Sequence, residues 1–226
     1  MKNTLPNGFS ILVSPFAAVG ANEEVDIQSL IPVDKDGNKC GLGTFQIQTK
    51  KTDGGPQDQF VYCLADESMA EDPKDEWLYD DGETPADKKF GVGESFLFTS
   101  TVVGGTLTYN GEVITRALEL PLINGFSLMG NPRATPVNIQ EMLPVDRDGK
   151  ICGLGTFQIQ TKKTDGGPQD QFVYCLEDES MAEEPKDEWL YDDGETPADK
   201  VFQPGEGFLF TSTITGGKLI LQKQDI

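Results

Sequence analysis

The chain has 226 residues, 37% of them apolar and 9% aromatic, and carries 38 acidic against 18 basic side chains for a formal charge of −20. Thirteen Phe and five Tyr supply enough large buried surface to argue against disorder, and the charge would repel polyphosphate, which argues against nucleic acid as a partner. There is no histidine, which removes the usual Ser-His and Cys-His nucleophile pairs and most transition-metal sites.

In chain order, MKNTLPNGFSILV lacks the apolar core and cleavage site of a signal peptide, and no run reaches the length of a membrane-spanning helix. VDIQSLIP is expected to form a single helical turn ended by its Pro, and Asp34-x-Asp36-Gly37, like Asp146-x-Asp148-Gly149 later, is open to two readings, calcium oxygens without the third acidic position and closing Glu of an EF-hand loop, or an ordinary β-turn. TFQIQT, Thr44 to Thr49, alternates so that Phe45 and Ile47 share one face and Gln46 and Gln48 the other, the pattern of a half-buried strand. FVYCL, Phe60 to Leu64, is a second strand, and KKTDGGPQD between them predicts a hairpin with a loop longer than two residues. An acidic segment follows, DESMAEDPKDEWLYDDGETPADK from Asp66 to Lys88, and then the strand GESFLFTST and the strand-turn pattern TLTYNGEV.

The chain then repeats. VDIQSLIPVDKDG at Val25 matches VNIQEMLPVDRDG at Val137 at an offset of 112, and the match holds through GESFLFTST and GEGFLFTST. Upstream the offset is 117, so the first copy has five extra residues near SPFAAVGANEE. Between Cys40 and Lys88 only Ala65 and Asp72 change, to Glu177 and Glu184, while the flanks differ more. The joint, TRALELPL, alternates apolar residues instead of forming a Gly/Ser tether, so a semi-rigid pair is expected. Splitting after Glu112 leaves −11 on the first part and −9 on the second, so the acidity belongs to each copy. The expectation is an all-β protein of two tandem, duplicated β-sandwich or barrel-like domains, 1–114 and 115–226.

Four cysteines, two per copy and none in a CxxC pair, favour an oxidising compartment and exclude zinc spacing. Cys40 precedes one strand of the hairpin and Cys63 lies in the other, so a disulfide is expected there and between Cys152 and Cys175. Each bridge would stabilise its domain by roughly 3 kcal/mol on chain-entropy grounds.

The edges of the copies resemble a known pattern. NGFSLMGNP, Asn124 to Pro132, followed by VNIQEMLP, a Trp-containing segment and PGEGFLF, Pro204 to Phe210, is similar to the "GxNLVGNP…PGxGFxV" β modules of secreted and surface proteins from Bacteroidetes and Verrucomicrobia-type bacteria. The first copy departs from it, with NGFSILVSP and with Gly91-Val92-Gly93-Glu94 in place of the Pro-Gly-Glu-Gly turn. The resemblance implies an extracellular or envelope-associated, non-enzymatic β protein and no active-site residues. Localisation is therefore expected at the cell exterior after processing.

Candidate chemistry concentrates in the acidic segments. Calcium takes several hard oxygens from a flexible loop, and Asp80, Asp81 and Glu83, with Asp192, Asp193 and Glu195, are the candidate ligands. A glycosidase pair would need two carboxylates at a fixed separation, which no spacing here indicates. Trp77 and Tyr79, with Trp189 and Tyr191, stand among acids and are candidates for stacking on a glycan, against the alternative that they close over the core. Two near-identical modules present similar surfaces twice, which favours self-association or contact with other surface proteins, with KLILQ, Lys218 to Gln222, as an edge strand for the next subunit. The expected function is a non-enzymatic, structural or adhesive exterior protein, a self-assembling fibre or layer subunit. The alternative is a bivalent glycan binder.

Overall fold

The computed structural model describes residues 2–5, 8–14, 16–17, 23–49, 57–161 and 169–223. The expected turn-rich hairpin loops at 50–56 and 162–168, and most of the five-residue insertion, lie outside them. The chain divides into two compact units, Met1–Val113 and Ile114–Ile226. Both are all-β, with one short 3-10 turn each among the described residues.

In the first unit the strands are β1 (Lys2–Leu5), β2 (Gly8–Val13), β3 (Val25–Asp26), β4 (Ile31–Val33), β5 (Phe45–Thr49), β6 (Asp58–Cys63), β7 (Glu76–Tyr79), β8 (Lys89–Phe90), β9 (Ser95–Ser100) and β10 (Gly105–Thr108). A five-stranded antiparallel sheet runs β2-β9-β5-β6-β7, a three-stranded sheet runs β1-β10-β4, and β3 pairs with β8. Side chains from all three groups meet in one core: Phe45, Ile47, Phe60, Trp77, Phe96 and Phe98 from the large sheet, Leu107 from the small one, and Val25 and Phe90 from the short pair. This is a sandwich whose layers form because each strand turns alternate residues inward. β5 buries Phe45, Ile47 and Thr49 and leaves Gln46 and Gln48 half-buried on the other face, as its alternation requires.

The second unit repeats this with β11 (Leu118–Pro121), β12 (Gly125–Gly130), β13 (Val137–Asn138), β14 (Met142–Val145), β15 (Phe157–Thr161), β16 (Asp170–Cys175), β17 (Glu188–Tyr191), β18 (Val201–Phe202), β19 (Gly207–Ser212) and β20 (Lys218–Leu221). Its large sheet runs β12-β19-β15-β16-β17. The joint segment TRALELPL is thus mostly structure, since β11 is the first strand of this unit and pairs with β20. That pairing corrects the expectation for KLILQ. β20 lies between β11 and β14, hydrogen-bonded on both sides, and is no edge strand.

The turn before β9 survives its sequence change. In the second unit Glu206 N–H donates to the Gln203 carbonyl at 3.0 Å across Pro204-Gly205, with Gly205 at φ 77°. In the first, Glu94 N–H donates to the Gly91 carbonyl at 3.0 Å with Gly93 at φ 79°. Glycine at the third position permits the left-handed conformation, so Val92 in place of Pro204 leaves the turn intact.

Candidate functional site

The acidic segment is built around a buried ring. Trp77 on β7 is fully buried, lies edge-on to Tyr62 at 5.3 Å and to Phe98 at 6.3 Å, and donates its indole N–H to the Leu30 carbonyl at 2.7 Å. The single 3-10 turn Ile27–Ser29 supplies the rest of the clamp. Gln28 Nε2 donates to the carbonyls of Trp77 at 2.7 Å and Ala86 at 2.9 Å, and its Oε1 accepts the Trp77 N–H at 3.0 Å. Gln28 thereby completes the outer edge of β7, where the main chain at Thr84 to Ala86 already bonds Tyr79 N–H and the Trp77 carbonyl at 2.9 Å each. Trp189, Gln140, Ala198 and Met142 repeat the arrangement. The indole rings of Trp77 and Trp189 therefore offer no face to a glycan, because both are fully buried.

Tyr79 and Tyr191 are half-buried against Phe60 and Phe172 at 5.1 Å. Each hydroxyl donates to a carboxylate at 2.6 Å, Tyr79 to Asp87 and Tyr191 to Asp199, and that bond, with burial, pushes both phenols up to about 12. These two hydroxyls are committed within the fold.

The calcium candidates are also engaged. Asp81 Oδ1 accepts the N–H groups of Glu83 at 2.8 Å and Thr84 at 2.9 Å, and Oδ2 accepts the Thr84 hydroxyl at 2.7 Å; those bonds hold its pKa below the ordinary value. Asp193 does the same for Glu195 and Thr196. Asp80 contributes its backbone N–H to Gln59, and Asp192 to Gln171. Asp80, Asp81 and Glu83 converge on no common point, and among the described residues no group of three or more carboxylates or thiols is gathered to hold a metal ion.

A second carboxylate wires the CGLG stretch. Glu67 Oε2 accepts the Leu42 N–H at 2.7 Å and the Leu64 N–H at 3.4 Å. A Cβ on residue 41 would come within 1.6 Å of that oxygen, so a side chain there would push the Glu67 carboxylate off the Leu42 N–H. Glu179, Leu154 and Gly153 form the same contact.

The expected disulfides are absent: all four cysteines are thiols. Cys40 packs against the large core, whereas Cys63 belongs to a separate cluster with Ala70 and Leu78 on the opposite face of the sheet. The alternation of β6 causes this, because Tyr62 points into the core and Cys63 away from it. Cys152 and Cys175 are likewise thiols, with Cys175 in the matching small cluster of the second unit. Burial and the nearby carboxylates of Glu67 and Glu76 raise the Cys63 pKa, which disfavours the thiolate a nucleophile needs. Glu76 is buried beside it, with Oε2 3.4 Å from Lys74 Nζ.

Two features separate the copies. Lys39 pairs with Asp75 at 2.9 Å and lowers the Tyr62 pKa against the upward pull of burial; Ile151 stands in its place in the second unit, where burial with Asp187 and Glu188 pushes Tyr174 up to about 12. The GNP motif also has a structural role. Asn131 N–H donates to the Glu206 carbonyl at 2.9 Å, its own carbonyl accepts from Gly205 at 3.1 Å, and its Nδ2 donates to Phe202 and Thr135 carbonyls. The two distant motif fragments therefore touch. Asn131 Oδ1 accepts the N–H of Arg133, a buried guanidinium that donates to the carbonyls of Ile114, Arg116, Leu221 and Gln222. Ser14 and Phe16 occupy these positions in the first copy.

Sequence reasoning passed over Gln28, Glu67, Asn131 and Arg133. The signal for the first two was their recurrence at Gln140 and Glu179, polar residues repeated beside apolar ones. Arg133 had none, since it stands one residue beyond the recognised motif.

The fold and these contacts define a tandem, duplicated β-sandwich protein. No protein-family model, no curated protein and no solved structure matches the chain.

Proposed function

We propose that the protein is a self-associating structural subunit at a cell exterior, part of a fibre or layer. One observation carries the reading: the same large apolar side chains stand exposed in both units, Phe9 and Phe126 at 47% and 52%, Leu42 and Leu154 at 58% and 56%, Met69 and Met181 at 65% and 66%. A chain that displays one surface twice is bivalent by construction, and bivalent contacts propagate. The polar chemistry supports a structural role as well, because Gln28, Glu67, Asp81, Tyr79 and Arg133 each hold part of the fold. The acidic surface and the resemblance of the NGF…GNP and PGEGF edges to secreted modules support the exterior setting.

Electron microscopy of the purified chain across a concentration series, with calcium and with chelator, tests the reading. Ordered filaments or sheets are the expected result. Dispersed single particles at every concentration overturn it.

A further inference from the structure

We infer that the uncharged part of the outer face of the five-stranded sheet, on β2, β9 and β5 and their counterparts β12, β19 and β15, is the joint through which one copy of this chain meets another. The inference rests on the self-association reading and names the surface that reading needs.

Register places the face. Phe9 pairs with Thr99, and Thr99 with Gln46; one row along, Ile11 pairs with Leu97, and Leu97 with Gln48. These six point away from the core side chains Leu12, Phe96, Phe98, Phe45 and Ile47, which alternate with them. Phe9 is exposed and the other five are half-buried. On the β6 and β7 side, Ala70 packs on the same face with Cys63, Leu78 and Val61, so the unit's own loop covers that half. The second unit carries the same rows, Phe126, Thr211 and Gln158 beside Leu128, Leu209 and Gln160. The sequence change between copies is confined to Ile11 becoming Leu128.

None of these strand positions is charged, in a chain with 38 carboxylates and a charge of −11 on one unit and −9 on the other. Charge selects the occupant. Two copies of so acidic a chain repel where carboxylates face each other, whereas here they bury Phe, Ile, Leu, Thr and Gln against the same residues, and a Gln amide both donates and accepts, so the face complements itself. An oppositely charged partner gains nothing from an uncharged surface. The face spans roughly 14 Å across three strands at about 4.8 Å spacing. It is therefore smaller than the roughly 800 Å² per partner of a standard interface, and each joint is weak and populated at high local concentration. With one face per unit, each chain offers two such joints.

The test is sedimentation velocity of the full chain over a concentration series, with native tryptophan emission confirming the fold of each variant. Wild type is expected to grow past the dimer. Gln48→Glu alone leaves one face and stops at the dimer, and Gln48→Glu with Gln160→Glu stays monomeric, the association weakened roughly tenfold or more by like charges set opposite each other. Thr99→Asp with Thr211→Asp repeats the result from a different strand. Lys35→Gln with Arg147→Gln changes net charge equally at exposed turns and associates as wild type does. If the double-face variants associate like wild type, the face is not the joint and self-association stands. If wild type is monomeric throughout, the self-association reading falls first. A monomeric wild type that binds insoluble polysaccharide through Gln48 and Gln160 overturns the proposal in favour of a glycan.

Discussion

The indole N–H of Trp77 donates to the main-chain carbonyl of Leu30 at 2.7 Å, and Gln28, two residues earlier, holds both the N–H and the carbonyl of Trp77 itself. One 3-10 turn thus fastens the edge strand of the large sheet at three points. Replacing Gln28 with Met keeps the volume and removes the Gln28 bond from the Ala86 carbonyl and the Trp77 N–H, while the Trp77 carbonyl keeps the Ala86 N–H at 2.9 Å. The expected loss is about 2–3 kcal/mol for the first unit, read from urea unfolding followed by tryptophan emission. Trp189→Phe isolates the Trp77 signal, so an unchanged midpoint for Gln28→Met would show that the clamp is dispensable.

Arg133 is buried, and its guanidinium donates to four main-chain carbonyls that tie the entry of the second unit, Ile114 and Arg116, to the end of β20 at Leu221 and Gln222. Arg133→Met is expected to destabilise that unit by about 3 kcal/mol, since hydrogen bonds from a charged group are the stronger kind. The first unit, with Phe16 at the matching position, keeps its midpoint. Calorimetry should then resolve one shifted and one unshifted transition, and a uniform shift would contradict the local role.

Asp81 has a folded pKa below its ordinary 3.8 because the Glu83 and Thr84 amides and the Thr84 hydroxyl bond its charged form. A depressed carboxylate contributes stability above its unfolded pKa and loses it as pH falls through the folded value. Asp81→Asn is therefore expected to be less stable than wild type at neutral pH, with the gap closing below about pH 4. Asp193→Asn should behave alike, because the turn is the same. A gap constant from neutral to acid pH would assign the effect to shape instead of charge.

The phenols offer a comparison between copies. Tyr174 titrates at about 12, while Lys39 draws Tyr62 down from the value burial alone would set. Lys39→Ile makes the first unit resemble the second and should move one tyrosine upward in a phenolate absorbance titration. The sign for stability follows: a phenol raised in the folded state loses nothing below its unfolded pKa near 10, and the unfolded chain gains on it as pH climbs above that. Alkaline unfolding should begin before the buried tyrosines ionise.

Cys63 and Cys175 are buried beside carboxylates with raised pKa values, and Cys40 and Cys152 are half-buried. A disulfide-exchange reagent should modify the second pair first and reach the first only on unfolding. Rapid reaction of all four thiols in the native protein would contradict the placement of Cys63 and Cys175.

Local features were legible in the chain itself. The alternation in FQIQT reflects the period of two that any half-buried strand imposes, the single turn of DIQS ends before Pro32, and the duplication requires two like units. These depend on neighbours in sequence, so sequence carries them. Other outcomes depend on residues far apart along the chain. Gln28 and Trp77 are 49 positions apart, and only the closed sandwich puts the ring inside it and removes it from a glycan. Cys40 and Cys63 are separated by a sheet because successive residues of β6 face opposite sides, a matter of register that no spacing reveals. β20 became central because β11, from the joint, paired with its free side. Strand period is a property of the backbone, while partner choice is decided by which apolar faces close over one another in the folded chain.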